Sequence, residues 1–204
     1  MTFEIIKYFL IGLIACVIAA LPLGLVNLSV IDTVLNQNKK SGRAISFGAA
    51  IIEILFVSIS LFFGSKVKDF FVENFYVSLF ILVILISSAF YFYFRKQKLK
   101  IVNNSNSHYF LKGLFLNAIS LQVLSFWLIA VLYFYTEKWI ELNTYNIIIF
   151  IAGVFTGKLI TLEFYIYLAI RAKDRLRFLP DYTNKFMSMI FVVLSFIQIM
   201  RIIF

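Results

Sequence analysis

Two carboxylates, one lysine and several side-chain amides stand inside long apolar runs, where such groups can carry charge, protons or a polar ligand. Glu53 is flanked by Ile51-Ile52 and Ile54-Leu55, and an ionised carboxylate in hydrocarbon must be paired, solvated or protonated. Burial disfavours its charged form and a nearby cation favours it, so Glu53 is a candidate proton carrier. Lys158 precedes Arg171 by about 13 residues, roughly 20 Å along a helix, too deep for its ammonium to snorkel to water. The two lie at similar depth and could pair, an arrangement able to exchange partners with a zwitterionic solute. The plainer alternative is a structural ion pair, or a neutral acid hydrogen-bonded to a neighbouring helix. Glu163 falls roughly 140° around the helix from Lys158 and can face either a solute or a basic loop.

Backbone-breaking residues accompany these groups. Pro22 lacks an amide proton and clashes with the carbonyl four residues back, which kinks or opens a helix; Gly24 lets the chain bend. A break inside a membrane needs protein or a wet cavity to satisfy the freed carbonyls, and Asn27, about one turn on, supplies a donor and an acceptor. Asn117, Ser120 and Gln122 provide a second polar group further along, either as ligand contacts or as glue between helices. Gly153 and Gly157 form a G-x-x-x-G face and Gly48 another small-residue position, both suited to close helix packing; a homodimer is one assembly such a face serves. Asp32 reads most simply as a solvated loop acid.

Other chemistries are poorly supplied. One cysteine, Cys16, and one histidine, His108, leave no internal disulfide, no dithiol exchange and no histidine-rich metal site. No catalytic base accompanies the serines, so neither an enzyme nor a bound cofactor or metal is expected.

Elements that could position these residues follow from composition. Hydrophobic residues are 62% of the 204 and charged residues 14%, against roughly a quarter charged in soluble domains, too few to cover a water-soluble globule. About 20 residues of helix cross about 30 Å of hydrocarbon, and six such runs can be drawn near 5–27, 44–64, 75–94, 113–135, 145–170 and 186–204. The alternation of a β-barrel strand is missing from stretches such as Leu79–Ser87. The expected fold is an all-α integral membrane protein of six transmembrane helices.

Charge orients it. Lys39, Lys40 and Arg43, then Arg95, Lys96, Lys98, Lys100 and Lys112, then Arg171, Lys173, Arg175, Arg177 and Lys185 occupy alternate loops. Lysine and arginine excess in short loops marks the cytoplasmic side, which puts both termini on the non-cytoplasmic side. The same loops suit anionic lipid headgroups rather than nucleic acid, since no aromatic-interleaved basic platform accompanies them. Residues 95–112 form a basic cytoplasmic linker dividing one membrane domain into halves, 1–94 and 113–204. Three spans in each half require that related halves be inverted, a common transporter plan with binding near the midplane.

At these residues the chain resembles the LysE/RhtB family of six-helix exporters. Pro22-Leu23-Gly24-Leu25-Val26-Asn27 looks like a rearranged form of that family's proline-glycine-proline-asparagine element. Gly42, Gly48 and Glu53, after Lys39 and Lys40, resemble its glycine, glycine, acid spacing, with glutamate where aspartate is usual. Gly113-Leu114-Phe115-Leu116-Asn117 resembles the start of its fourth helix, while Ser120-Leu121-Gln122 departs from the asparagine-proline-lysine that follows there. The resemblance implies cation-coupled export of amino acids or related small metabolites across the bacterial cytoplasmic (inner) membrane; the residues themselves make Glu53 a candidate proton acceptor, with protons as a coupling ion, and Asn27, Glu53, Asn117, Ser120, Lys158 and Glu163 candidate substrate or coupling-ion contacts. A non-transporting assembly protein is the alternative, and a membrane enzyme a more distant one.

Overall fold

A computed structural model describes residues 2–72, 108–137, 139–140 and 143–171 as continuous stretches, and isolated helical positions between 79 and 94 and between 185 and 200. Much of the expected third and sixth spans, and residues 95–107 of the basic linker, lie outside the described residues. Among those described, every regular element is helical: α1 (Thr2–Ala20), α2 (Leu25–Asn36), α3 (Lys39–Val72), α4 (Tyr109–Ala118), α5 (Leu121–Thr136) and α6 (Thr144–Arg171).

Two helices meet the length and hydropathy of a membrane span by themselves, Lys39–Phe63 of α3 and Thr144–Arg171 of α6. Two further candidates are bent pairs: α1 with α2, turned by 75°, and α4 with α5, turned by 61°. Apolar side chains also face outwards, among them Ile14, Ile51, Leu55, Phe62, Ile148, Ile160 and Phe164. Helices apolar on both their inner and outer faces suit a lipid surround, so the chain has the architecture of an all-α membrane protein with two to four spans among the described residues.

The first bend has a local cause. Leu21 N still donates to Val17 O at 2.9 Å, but the next hydrogen bonds are Gly24 N to Pro22 O, 2.8 Å, and Leu28 N to Gly24 O, 3.1 Å. Pro22 therefore ends α1, and α2 begins in a new direction. Gly24 has φ −85° and ψ −176°, extended backbone open to any residue, and a Cβ there would meet nothing within 4 Å. The break belongs to the proline. The stretch expected as a first loop is largely the helix α2, whose Val26, Asn27, Val30, Ile31 and Thr33 are buried. Asp32 lies on it and accepts from Asn36 Nδ2 at 2.7 Å.

Packing is set by glycine. A Cβ on Gly153 would collide with the Phe9 carbonyl and stand 3.0 Å from Leu13 N, and one on Gly12 would collide with the Phe150 carbonyl. The G-x-x-x-G face is thus filled by α1 of the same chain, with Gly157 against Leu13 O and the Cys16 side chain. A Cβ on Gly48 would likewise collide with the Phe110 carbonyl and stand 2.9 Å from Leu114 N, while Gly113 abuts Ile45. Rising residue numbers run together in both contacts, so α1 lies parallel to α6 and α4 parallel to α3. α3 and α6 themselves are antiparallel, since Glu53 meets Lys158 and the earlier Arg43 meets the later Glu163. The described parts of the third and sixth expected spans also touch, with Ser188 Oγ donating to Ala89 O at 2.9 Å.

Candidate functional site

Where α3 crosses α6, Glu53 is fully buried and its carboxylate receives donors from three other helices. Lys158 Nζ of α6 lies 2.8 Å from Oε2. Asn117 Nδ2, at the end of α4, donates to the same oxygen at 2.9 Å and to Ala49 O at 2.8 Å. Trp127 Nε1 of α5 donates to Oε1 at 2.7 Å. Charge-assisted hydrogen bonds of this kind are about twice as strong as neutral ones, and with both oxygens occupied the buried charge is tolerated. Asn117 is itself fully buried, and its Oδ1 has no hydrogen-bond partner among the described residues.

Asn27 lies elsewhere. Its Nδ2 donates to Ala20 O at 2.7 Å and Pro22 O at 2.5 Å, and the Tyr165 hydroxyl donates to Leu21 O. Side chains thus cover the carbonyls of Ala20, Leu21 and Pro22 at the break, as a break in an apolar medium requires. Tyr165 follows Lys158 by two helical turns, on the same face of α6, so one helix face holds both the break and the ion pair.

Ser120 occupies the second break, between α4 and α5. Its Oγ donates to Leu116 O at 2.9 Å and its amide to Asn117 O at 3.0 Å. The Gln122 side chain lies outside the described residues. Glu163 is partly exposed and takes two hydrogen bonds from Arg43, 2.9 and 2.6 Å, with Lys39 Nζ at 3.1 Å. Of the candidates, then, Glu53, Lys158 and Asn117 converge, Ser120 lies three residues beyond Asn117, and Asn27 and Glu163 serve two other places. Among the described residues no group of histidine, cysteine, aspartate and glutamate could hold a metal ion.

Trp127 and Tyr165 are not residues that the sequence singles out. Aromatic residues in a chain that is 19% aromatic give no signal until a partner is known. A second feature lies in the spacing of the glycines. Gly48 precedes Glu53 by the interval at which Gly153 precedes Lys158, and Gly12-Leu13 precedes Cys16 as Gly113-Leu114 precedes Asn117. The geometry repeats in the same register: Phe9 and Leu13 meet Gly153 through the same backbone atoms as Phe110 and Leu114 meet Gly48. On one side of the ion pair Ile45, Ala49, Leu162 and Ile166 share an apolar cluster. Their register equivalents Phe150, Val154, Val57 and Leu61 share another on the opposite side.

Together the fold and site define an all-helical membrane protein with a buried, hydrogen-bonded ion pair at a crossing flanked by two broken helices. Compared with protein-family models, curated proteins and solved structures, the chain matches none.

Proposed function

We propose that this protein is a secondary transporter of the inner membrane, a divergent relative of the LysE/RhtB exporters, built from two inverted three-span halves with both termini outside. The single observation that carries the reading is the Glu53–Lys158 pair, buried at the α3–α6 crossing with a broken helix from each half beside it. Burying two ions is unfavourable even when they pair, and intramembrane ionisable groups mark solute or proton pathways. The repeated register supports inversion: equivalent helices pack through equivalent glycines while running in opposite directions. Cargo would be amino acids or related small zwitterions, whose carboxylate and ammonium can replace Glu53 and Lys158 as each other's partners. Glu53 would take up a proton when Lys158 turns to the substrate, coupling export to the pH gradient by differential binding in two conformations.

Efflux of preloaded amino acids from vesicles holding the purified protein, with and without a pH gradient, tests this. Gradient-driven flux should appear with the wild type and vanish with Glu53→Gln. Undiminished gradient-driven flux through Glu53→Gln would remove the proton-carrier role, and no flux for any of a broad solute panel would remove transport. A non-transporting assembly protein would need Gly153 and Gly157 as a docking face, which α1 of the same chain covers.

A further inference from the structure

α3 and α6 are fastened to each other at two levels. The inner level is the buried Glu53–Lys158 pair. The outer is the cluster of Lys39, Arg43 and Glu163, in which Arg43 presents Nε to Oε2 at 2.9 Å and Nη2 to Oε1 at 2.6 Å while Lys39 Nζ stands 3.1 Å from Oε1. Between the levels lie Ile45, Ala49 and Leu162, an apolar seal.

The levels differ in how easily they part. Side chains of the outer cluster are 41–51% exposed, against 4% and 0% for the inner pair. Water can therefore replace each outer partner as it leaves, while opening the inner pair would strand two ions in an apolar interior. The outer cluster is also one-sided. Under the Gly48–Gly153 register, Lys39, Arg43 and Glu163 correspond to Thr144, Ile148 and Ser58, three exposed and uncharged residues. The opposite end of the same crossing has no ionic counterpart at these positions.

We propose that Lys39, Arg43 and Glu163 form an ionic latch that holds their end of the α3–α6 crossing closed, and that its release opens the buried pair towards that end. The proposal rests on the transporter reading for its purpose, since a latch on one end only biases a two-state carrier towards the state closed at that end. Because the bonds are exposed, the latch is salt-sensitive and yields on the thermal scale.

Cys16, the only cysteine in the chain, reports on the inner level. It is fully buried and packs at Gly157, next to Lys158. In vesicles of the full chain, a membrane-impermeant maleimide is applied from the side bearing Lys39, and Cys16 alkylation is timed. Glu163→Gln should speed labelling about two- to five-fold, the range that exposed ion pairs support. Raising salt from about 0.05 to about 1 M should speed the wild type similarly and leave Glu163→Gln unchanged. Exchanging the charges, Arg43→Glu with Glu163→Arg, should return labelling towards the wild-type rate. Labelling that is insensitive both to salt in the wild type and to Glu163→Gln overturns the latch, as does acceleration only from the opposite side. The salt arm uses unaltered protein and so stands even if a variant fails to fold. Solute flux in the same vesicles separates the two ideas: accelerated labelling without any flux keeps the latch and removes transport, whereas flux with insensitive labelling does the reverse.

Discussion

Removing one member of the Glu53–Lys158 pair should be far more damaging than removing both. At 2.8 Å and an effective dielectric constant of about 20, their attraction is about 6 kcal/mol. Several kilocalories per mole of desolvation for each ion oppose it, so the net worth of the intact pair is small. Lys158→Met leaves a charge at Glu53 with only Asn117 and Trp127 as partners, and Glu53→Gln leaves the Lys158 ammonium without its carboxylate. Each change should destabilise by about 3–5 kcal/mol, the usual result of breaking a buried pair. The double variant Glu53→Gln/Lys158→Met has no stranded charge, retains an acceptor for Trp127 in the glutamine oxygen, and should fall within about 2 kcal/mol of the wild type. Denaturant titration of the four proteins in mixed micelles, followed by tryptophan fluorescence, gives the coupling energy directly. These figures imply a coupling of at least about 4 kcal/mol; additive single effects would refute the argument that the two charges depend on each other. Flux then separates structure from transport, because a merely structural pair regains function with stability in the double variant, whereas a working pair regains stability alone.

Helix crossings offer a second check. Gly48→Ala, Gly113→Ala and Gly153→Ala each drive a Cβ into a backbone carbonyl and should destabilise by about 1–3 kcal/mol or more, while Gly24→Ala, with open space around it, should stay within about 0.5 kcal/mol of the wild type. Thermal midpoints in detergent rank these four, and a Gly24 variant as damaged as the others would contradict the assignment of the bend to Pro22. Asn27→Ala and Tyr165→Phe each strip donors from the carbonyls of the first break; each should destabilise by about 1–3 kcal/mol, with the pair non-additive, and a neutral Asn27→Ala would show that those carbonyls find another donor.

Much of this arrangement is written in residue type, and less of it in residue position. Apolar length alone locates α6 to within one residue at each end and finds the middle of α3, which begins five residues before and ends eight after its expected span, because a helix in hydrocarbon has few alternatives. Pro22 announces the first break correctly, since a missing amide and a ring clash act locally. The identity of α2 does not follow in the same way: residues 28–38 are mixed in polarity and read as a loop until the Val26, Val30 and Ile31 face of α2 is seen against the rest of the protein. Glu53 and Lys158 stand out by the expense of their burial, yet their partners do not, because a tryptophan or a tyrosine is unremarkable in so aromatic a chain. Asn27 and Glu163 illustrate the converse. Their polarity flags them for a solute, but one donates its side-chain amide to two backbone carbonyls and the other pairs with two surface cations.

The register between the halves bears on why the central charges are opposite. When two inverted halves cross, residues at equivalent positions on their second helices meet at the axis between them. Identical residues there would place carboxylate against carboxylate or ammonium against ammonium, and like charges in contact cannot both ionise in a buried site. Glu53 in one half and Lys158 in the other solve that problem with a single divergence, while the packing around them keeps its repeat in Gly48 and Gly153 and in the two apolar clusters. Asn117 and Cys16 divide in the same sense. Asn117 donates to the carboxylate, whereas its equivalent, packed at Gly157 next to Lys158, is the small thiol of Cys16. In the proposed two-half arrangement, symmetry is therefore retained where shape alone matters and abandoned where charge must balance. Such a centre suits the proposed transport role: neutral as a pair when empty, and able to offer an ammonium and a carboxylate to a zwitterion that takes it apart.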